Sequence, residues 1–252
     1  MGCVNSKSKR KKNIQMICGV SGIGKTKTIQ SFKGLYEDIE IKKIFLDIIE
    51  MANHFNIHIN ENLTFDRCLY TLLYNTVFYN RVIKDTIKTN CNYLIDRSIC
   101  SIFLYEALFK EVIPCVRDHL KDIIDDKINV MDLITENDNI NYYFEKTYTA
   151  LRSLENLFFD IDYKYNVKII FVTTNNYLFC TKQIKKRNWY DAQLFDDPVY
   201  HHTYVMVQSH LYWLLYNYLK HKNFLFIRLS LIQIDPSNMY ALNDYLLEGV
   251  TN

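Results

Sequence analysis

Short apolar runs alternate along this chain with longer segments of helical periodicity. Five apolar runs are interpreted as buried strands: Asn13–Cys18, Ile41–Leu46, Tyr93–Ile95, Val167–Val172 and Phe224–Leu229. Strands that alternate with helices form a parallel sheet that helices cover on both faces. The pattern therefore predicts an α/β fold with a five-stranded parallel sheet, and it places ligands at the carboxyl ends of the strands.

Composition is consistent with one large domain. The chain has 252 residues, of which 49% are hydrophobic, and only 3 prolines, with no linker-like stretch after the first dozen residues. We predict a tail at 1–12 and one domain at 13–252. The net charge of +2 is too small for a surface that binds nucleic acid along the whole protein, so we expect no nucleic-acid partner. This charge is still compatible with a local basic pocket.

The 7 cysteines are scattered and form no Cys-x-x-Cys pair, which argues against both a disulfide framework and a zinc site. The histidines also lack the spacing of metal ligands, and His201, His202 and His210 are interpreted as helix-surface residues. We therefore expect a reducing, cytoplasmic location.

A phosphate-binding loop follows the first predicted strand. Three of the chain's 6 glycines fall within a six-residue window, in a segment with the Walker A pattern. Its residues are Gly19, Val20, Ser21, Gly22, Ile23, Gly24, Lys25 and Thr26. A helix is predicted from Lys25 to Phe32, which gives the strand, loop and helix order that this motif requires. The loop predicts ATP binding, with Lys25 reaching the β/γ-phosphates and Thr26 holding Mg²⁺.

An acid and a guanidinium end the third predicted strand, in Asp96-Arg97-Ser98. Parallel strands end at the same edge of a sheet, so these charges are expected to face the phosphate loop. A GTPase is excluded, because the chain has no Asn-Lys-x-Asp motif and no downstream glycine in an Asp-x-x-Gly motif.

The P-loop followed by Asp96-Arg97-Ser98 resembles the deoxynucleoside kinases, including viral thymidine kinases. The segment from Cys180 to Gln193 is similar to the arginine-rich lid of that family, which reads roughly Cys-x-x-Arg-Ile-x-x-Arg-Gly-Arg-x-Glu-Glu-Gln. A helix with Tyr204, His210 and Trp213 resembles the one that follows the lid. The resemblance runs from about residue 13 to the end, and it implies a P-loop kinase fold with a basic lid.

The resemblance also implies roles for individual residues. Thr26 and Asp96 would hold Mg²⁺, Arg97 would orient the sugar 5′-oxygen, and Arg187 would contact ATP and clamp the transferring phosphate. Asp47, at the end of the second strand, aligns best with the family's general base. Glu50, one helical step further on, is the substitute candidate.

Substrate contacts follow from the same resemblance. Tyr74 and Asn75 are the nearest counterparts of the family's Phe-Gln pair for the nucleobase, although a plain core helix with one buried amide fits them as well. Asp191 stands at the first of the two lid acids and is expected to contact the substrate.

The lid departs from the family pattern at three positions. Gln183 and Trp189 replace arginines, and Ala192 replaces the second glutamate, which helps hold the sugar 3′-hydroxyl in the family. Lysine does not reproduce the arginine fork, so neighbouring lysines restore the charge only in part. The lid sequence therefore does not determine the rate of phosphoryl transfer or the selectivity for the sugar.

The expected reaction is ATP-dependent phosphorylation of a deoxynucleoside, with thymidine or another pyrimidine preferred, by a homodimer. Thymidylate kinases share the P-loop and the basic lid. Their monophosphate acceptor needs further arginines near the second strand, and only Arg67 and Arg81 occur between residues 32 and 93. The altered lid also fits a catalytically degenerate, membrane-tethered binding protein, which intact Lys25, Thr26, Asp96 and Arg97 disfavour.

The amino terminus fits an N-myristoylation pattern, with Gly2 as acceptor and Ser6 at the favoured position. Cys3 is a candidate for palmitoylation, and five basic residues between Lys7 and Lys12 would strengthen a marginal single-chain anchor. We predict an acylated tail that brings the protein to a membrane surface. A solvated disordered tail and a nuclear-import signal are the alternatives.

Overall fold

The computed structural model describes residues 12–32, 39–43, 92–159, 165–186, 195–238 and 242–246. The described strands are β1 Lys12–Gly19, β2 Ile39–Lys43, β3 Asn92–Asp96, β4 Tyr165–Thr173 and β5 Ile227–Gln233. They form one sheet in the order β2-β3-β1-β4-β5, and every neighbouring pair is parallel. The predicted α/β class, with a parallel sheet flanked by helices, is confirmed.

Helices fill most of the described chain between the strands. With bounds in chain order they are α1 Lys25–Ser31, α2 Ile99–Ala107, α3 Ile113–Asp118, α4 Leu120–Ile124, α5 Val130–Thr135, α6 Asn139–Phe159, α7 Tyr177–Lys185 and α8 Pro198–Lys220. A π-helical turn, Leu108–Val112, joins α2 to α3, and residues 242–246 are also helical. None of these helices combines the length and the apolar character that crossing a bilayer requires.

The central strand β1 is buried along most of its length. Ile14, Met16, Ile17 and Cys18 are fully inaccessible to solvent, as expected for a parallel strand with helices on both faces. α2 packs on β1, and α8 packs on both β4 and β5. Parallel pairing places the carboxyl ends of β1, β3 and β4 at one edge, where Ile17 pairs with Asp96 and Gly19 with Val172.

The predicted bounds of the last strand were wrong: β5 begins three residues later than Phe224 and extends beyond Leu229 to Gln233. The ring of Phe224 packs edge-on against Tyr148 of α6, with the centroids 5.7 Å apart. The backbone N–H of Phe226 donates to the buried Glu155 carboxylate of the same helix at 2.7 Å. Contacts with α6 therefore hold this segment away from the sheet until residue 227.

β1 begins at Lys12, one residue before the predicted start of the domain. β2 is described from Ile39 to Lys43, which is earlier than the predicted run Ile41–Leu46, whose last three residues lie outside the described ranges. The other strand predictions overlap the observed strands within two residues at each end.

Candidate active site

The glycine-rich loop leaves the sheet at the carboxyl end of β1. Gly22 and Gly24 have φ of 79° and 94°, values that residues with a Cβ rarely adopt. Gly24 in this conformation begins α1, and its carbonyl accepts the N–H of Thr28 at 3.0 Å. The glycine spacing thus sets the direction in which the loop turns into the helix.

The loop also lies against neighbouring backbone. A Cβ on Gly19 would stand 2.3 Å from the Val172 carbonyl oxygen, and one on Gly22 would stand 2.5 Å from that of Cys180. The Val20 N–H donates to Val172 at 3.2 Å. The loop is therefore pressed between the end of β4 and α7, the helix that begins the predicted lid.

We expect Gly19→Ala to lower the free energy of unfolding by about 2 to 3 kcal/mol, because the methyl group would overlap the backbone of β4, which cannot yield as a flexible side chain can. Denaturant titration monitored by circular dichroism measures the change. Gln30→Ala, at an exposed position of α1, is the control and should stay within about 0.5 kcal/mol of the parent. Equal stability of the two variants would contradict the close packing of the loop on β4.

Lys25 is buried, with 5% of its surface exposed, and its ammonium donates to the carbonyl oxygens of Gly19 and Val20, each at 2.7 Å. A buried ammonium requires such partners, because its desolvation is costly. The backbone carbonyls of the loop therefore bind the positive charge of Lys25.

Thr26 and Asp96 join the loop to the end of β3. The Thr26 hydroxyl donates to Asp96 Oδ2 at 2.6 Å. The Asp96 side chain is 5% exposed, and its Oδ1 has no hydrogen-bond partner within the part of the chain that the structure describes. A carboxylate with an acceptor atom to spare beside a hydroxyl is a hard oxygen donor set that fits Mg²⁺.

Arg97 has the rare φ of 74° for a residue with a long side chain. Its N–H donates to the Ile17 carbonyl at 2.9 Å, which joins the turn after β3 to β1. Its Nη1 donates to the Tyr105 hydroxyl at 2.9 Å, and its guanidinium carbon is 5.2 Å from the centre of that ring. Burial opposes the charged form, but Tyr105, Tyr212 and Asp96 outweigh it and raise the pKa of Arg97 above its ordinary value.

A comparison of Arg97→Gly with Arg97→Ala tests this backbone conformation. Both variants lose the same side-chain contacts, but only alanine keeps the steric cost of a positive φ. We expect the glycine variant to be the more stable by about 1 kcal/mol in urea titrations. An alanine variant as stable as the glycine variant would show that residue 97 does not hold this conformation.

Ser98 begins α2 and contacts the strand beneath the loop. Its hydroxyl accepts the Cys100 N–H at 3.1 Å and lies 2.7 Å from the Cys18 sulfur. Burial raises the pKa of Cys18, but hydrogen bonds from Cys100, Ser98 and Ser101 and the charge of Lys25 outweigh it, so the pKa of this thiol lies below its ordinary value. The motif thus joins the first turn of α2 to the end of β1.

A polar cleft of about 380 Å³ lies where β4 and β5 end, and no motif in the sequence predicted it. Asn176 Nδ2 donates to Asp235 Oδ1 at 3.2 Å across it. Hydrogen bonds from the backbone and side chain of Ser237, and from Asn176, lower the pKa of the Asp235 carboxyl. The Thr174 N–H is held by Ser209 of α8 at 3.2 Å. The cleft therefore has fixed walls and offers both donors and acceptors.

The structure brings together four residues predicted from sequence, Lys25, Thr26, Asp96 and Arg97, at one edge of the sheet. Ten further predicted positions lie outside the described residues: Gly2, Cys3, Asp47, Glu50, Tyr74, Asn75, Arg187, Trp189, Asp191 and Ala192.

The described part of the lid segment is 180–186, which comprises α7 from Cys180 onwards and Lys186. The two residues that match the family there, Cys180 and Ile184, are buried, and they are the residues that a Cβ on Gly22 would meet. Lys182, Lys185 and Lys186 are exposed. Packing against the P-loop thus accounts for the apolar half of the lid resemblance.

Sequence reasoning missed two polar residues that contact the loop. Tyr105 OH lies 3.0 Å from Ser21 Oγ, and Gln208 Oε1 accepts the Ser21 N–H at 2.9 Å. Gln208 is fully buried in the apolar stripe of α8 between Tyr204 and Leu211. An amide within such a stripe is a detectable signal, because a buried amide requires partners.

The parallel sheet flanked by helices, with the phosphate loop directly after β1, has the architecture of a P-loop kinase fold. Among solved structures, the chain is similar to deoxyadenosine kinase from M. mycoides with bound dATP, with a TM-score of 0.52 and 11% sequence identity over 96% of this chain and 100% of that one. No protein-family model matches the sequence, and the comparison with curated proteins gives no match.

Proposed function

We propose that this protein is a deoxynucleoside kinase, which transfers the γ-phosphoryl group of ATP to the 5′-hydroxyl of a deoxynucleoside. The observation that carries the proposal is the junction between the P-loop and the end of β3, where Thr26 donates to Asp96 at 2.6 Å and Arg97 follows directly. An NTP-binding loop alone is common to many functions. An acid and an arginine on the adjacent strand add the groups that phosphoryl transfer to an acceptor requires.

In phosphoryl transfer, the protein contributes mainly by placing the reactants and by supplying positive charge. Negative charge spreads over the transferring phosphoryl oxygens, and preorganised cations stabilise it. Lys25 is fixed on the donor side by two carbonyl oxygens, and Arg97 is fixed by Tyr105. Both cations are held before substrate arrives, so little reorganisation accompanies the reaction.

Mg²⁺, which Thr26 and Asp96 would hold, would neutralise phosphate charge and align the oxygens for in-line transfer. The remaining groups are those predicted from sequence. Asp47 takes the proton of the 5′-hydroxyl in this proposal, with Glu50 as its substitute, and Arg187 clamps the transferring phosphate.

The polar cleft at the ends of β4 and β5 is proposed to take the base of ATP. It lies beside the P-loop, because Val172, near the end of β4, accepts the Val20 N–H. The Asn176 amide and the Asp235 carboxylate can pair with the donors and acceptors of a nucleobase edge.

Phosphoryl transfer to individual nucleosides decides the base of the acceptor. Tyr74, Asn75 and Asp191 are the sequence candidates for substrate contacts, and a preference for thymidine or another pyrimidine stays a prediction. The structural neighbour carries the name of a purine nucleoside kinase, so both classes of base belong in the test. A homodimer and an acylated, membrane-bound tail also stay predictions.

The test measures transfer of labelled phosphate from ATP to thymidine, deoxycytidine, deoxyadenosine, deoxyguanosine and thymidine monophosphate, with Lys25→Ala as the blank. A nucleoside monophosphate formed by the parent alone supports the proposal and identifies the base. Diphosphate formed only from thymidine monophosphate would assign a thymidylate kinase instead. ATP binding without any labelled acceptor would favour a degenerate binding protein.

A further inference from the structure

A chain of hydrogen bonds joins four separate segments at the site. Arg97 Nη1 donates to the Tyr105 hydroxyl at 2.9 Å, that hydroxyl lies 3.0 Å from Ser21 Oγ, and the Ser21 N–H donates to Gln208 Oε1 at 2.9 Å. These residues belong to the turn after β3, to α2, to the P-loop and to α8. The sequence separations are large, 84 residues between Ser21 and Tyr105 and 187 between Ser21 and Gln208.

The chemistry of the groups fixes the direction of the bond between Arg97 and Tyr105. A guanidinium has only donors, so the phenol oxygen of Tyr105 accepts from Arg97. The bond between Tyr105 and Ser21 joins two hydroxyl groups, either of which can donate. Tyr105 is only 7% exposed, and hydrogen bonds in such surroundings are strong and costly to break. One phenol group therefore links the arginine to the loop.

The far end of the chain is anchored as well. Gln208 is fully buried on α8, and its amide oxygen accepts the Ser21 N–H. Moving Ser21 would leave that buried amide oxygen without this donor, at the cost of a lost hydrogen bond. Ser21 is thus held through its backbone by α8 and through its hydroxyl by α2.

We propose that Tyr105 is a positioning residue, which sets the place of the Arg97 guanidinium relative to the phosphate loop by bonding both Arg97 and Ser21. The left-handed backbone holds Arg97 at one end, and the Tyr105 hydroxyl holds it at the other. The role for catalysis rests on the proposed function, in which Arg97 acts at the acceptor oxygen. The structural link between Arg97 and the loop does not depend on it.

The test uses Tyr105→Phe, which keeps the ring and its packing on Phe109 and removes only the hydroxyl. We expect kcat to fall about tenfold while KM for both substrates stays within about twofold, because a misplaced arginine loses contacts that strengthen in the transition state. Tyr143→Phe is the matched control, since Tyr143 of α6 is also buried, and the change removes a hydroxyl that donates to Glu111 at 3.0 Å. The control should keep the kcat of the parent.

A second measurement tests the link without any activity. The half-buried Arg97 is modified with a dicarbonyl reagent that is specific for arginine, and its rate is followed by peptide mass spectrometry. We expect Arg97 to react several-fold faster in Tyr105→Phe than in the parent or in Tyr143→Phe, because the guanidinium has lost its hydrogen bond to the Tyr105 hydroxyl. The thermal midpoints of both variants are measured to confirm that they fold.

The two readouts separate the two proposals. A parent protein that phosphorylates no acceptor would remove the proposed function, and the modification rate would still decide the role of Tyr105. An unchanged rate at Arg97 in Tyr105→Phe would overturn the positioning role whatever the activity. An unchanged kcat in an active enzyme would overturn it too.

Discussion

Lys25→Ala is expected to lower kcat for phosphoryl transfer by about a thousandfold. Removing one preorganised electrostatic group from an active site costs about 10² to 10³ in rate, and Lys25 is both buried and fixed by two loop carbonyls. No other cation replaces it within the loop segment from 19 to 26. Initial rates with saturating ATP and the best acceptor of the panel measure the effect.

The control for this prediction is Lys27→Ala. Lys27 lies two residues further on in the same helix, is exposed, and carries the same charge. It should keep the parent kcat within about twofold, since exposed substitutions away from special features are nearly neutral. The alanine at 25 also removes the donor to Gly19 and Val20, so a circular dichroism melt must show a folded variant. A folded Lys25→Ala variant with more than a tenth of the parent rate would contradict the role of this lysine.

Asp96→Asn is expected to lower kcat by about a hundredfold and to raise the Mg²⁺ concentration that half-maximal activity requires. The amide keeps the shape of the side chain and can still accept the Thr26 hydroxyl, but it removes the negative charge that a hard cation prefers. Rates measured across a Mg²⁺ titration separate the loss of metal affinity from the loss at saturating metal.

Asp118→Asn is the matched control for that experiment. It makes the same chemical change at an exposed position at the end of α3. The control should show the Mg²⁺ dependence of the parent. If Asp96→Asn had the same dependence as Asp118→Asn, the pair Thr26 and Asp96 would not be a metal site, and the Asp96 carboxylate would serve only to hold the loop to β3.

Local sequence was sufficient for the phosphate loop, because each property it needs lies in consecutive residues. Gly22 and Gly24 adopt positive φ, and Lys25 bonds carbonyl groups five and six positions before it. The alternation of strands and helices likewise predicted the parallel sheet. That sheet then placed Asp96 beside the loop, since the carboxyl ends of adjacent parallel strands lie at the same edge.

The start of β5 shows where local patterns fail. Phe224 and Leu225 are as apolar as the strand that follows, so hydrophobicity alone extended the strand backwards. The tertiary structure decides otherwise, because Glu155 binds the Phe226 N–H and Tyr148 packs on Phe224, both from α6. The contact with Glu155, 71 residues away, and not the sequence of the segment itself, keeps this segment from pairing with β4.

The sequence by itself therefore determined the fold class, the loop and the acid-arginine pair, which depend on neighbouring residues and on a regular period. Only the tertiary structure showed that Tyr105 and Gln208 hold Ser21 and that Asn176 and Asp235 face each other across a cleft. The physical reason is that a side-chain hydrogen bond is set by atoms within about 3 Å, whatever the distance along the chain. No period in the sequence records which distant residues come that close.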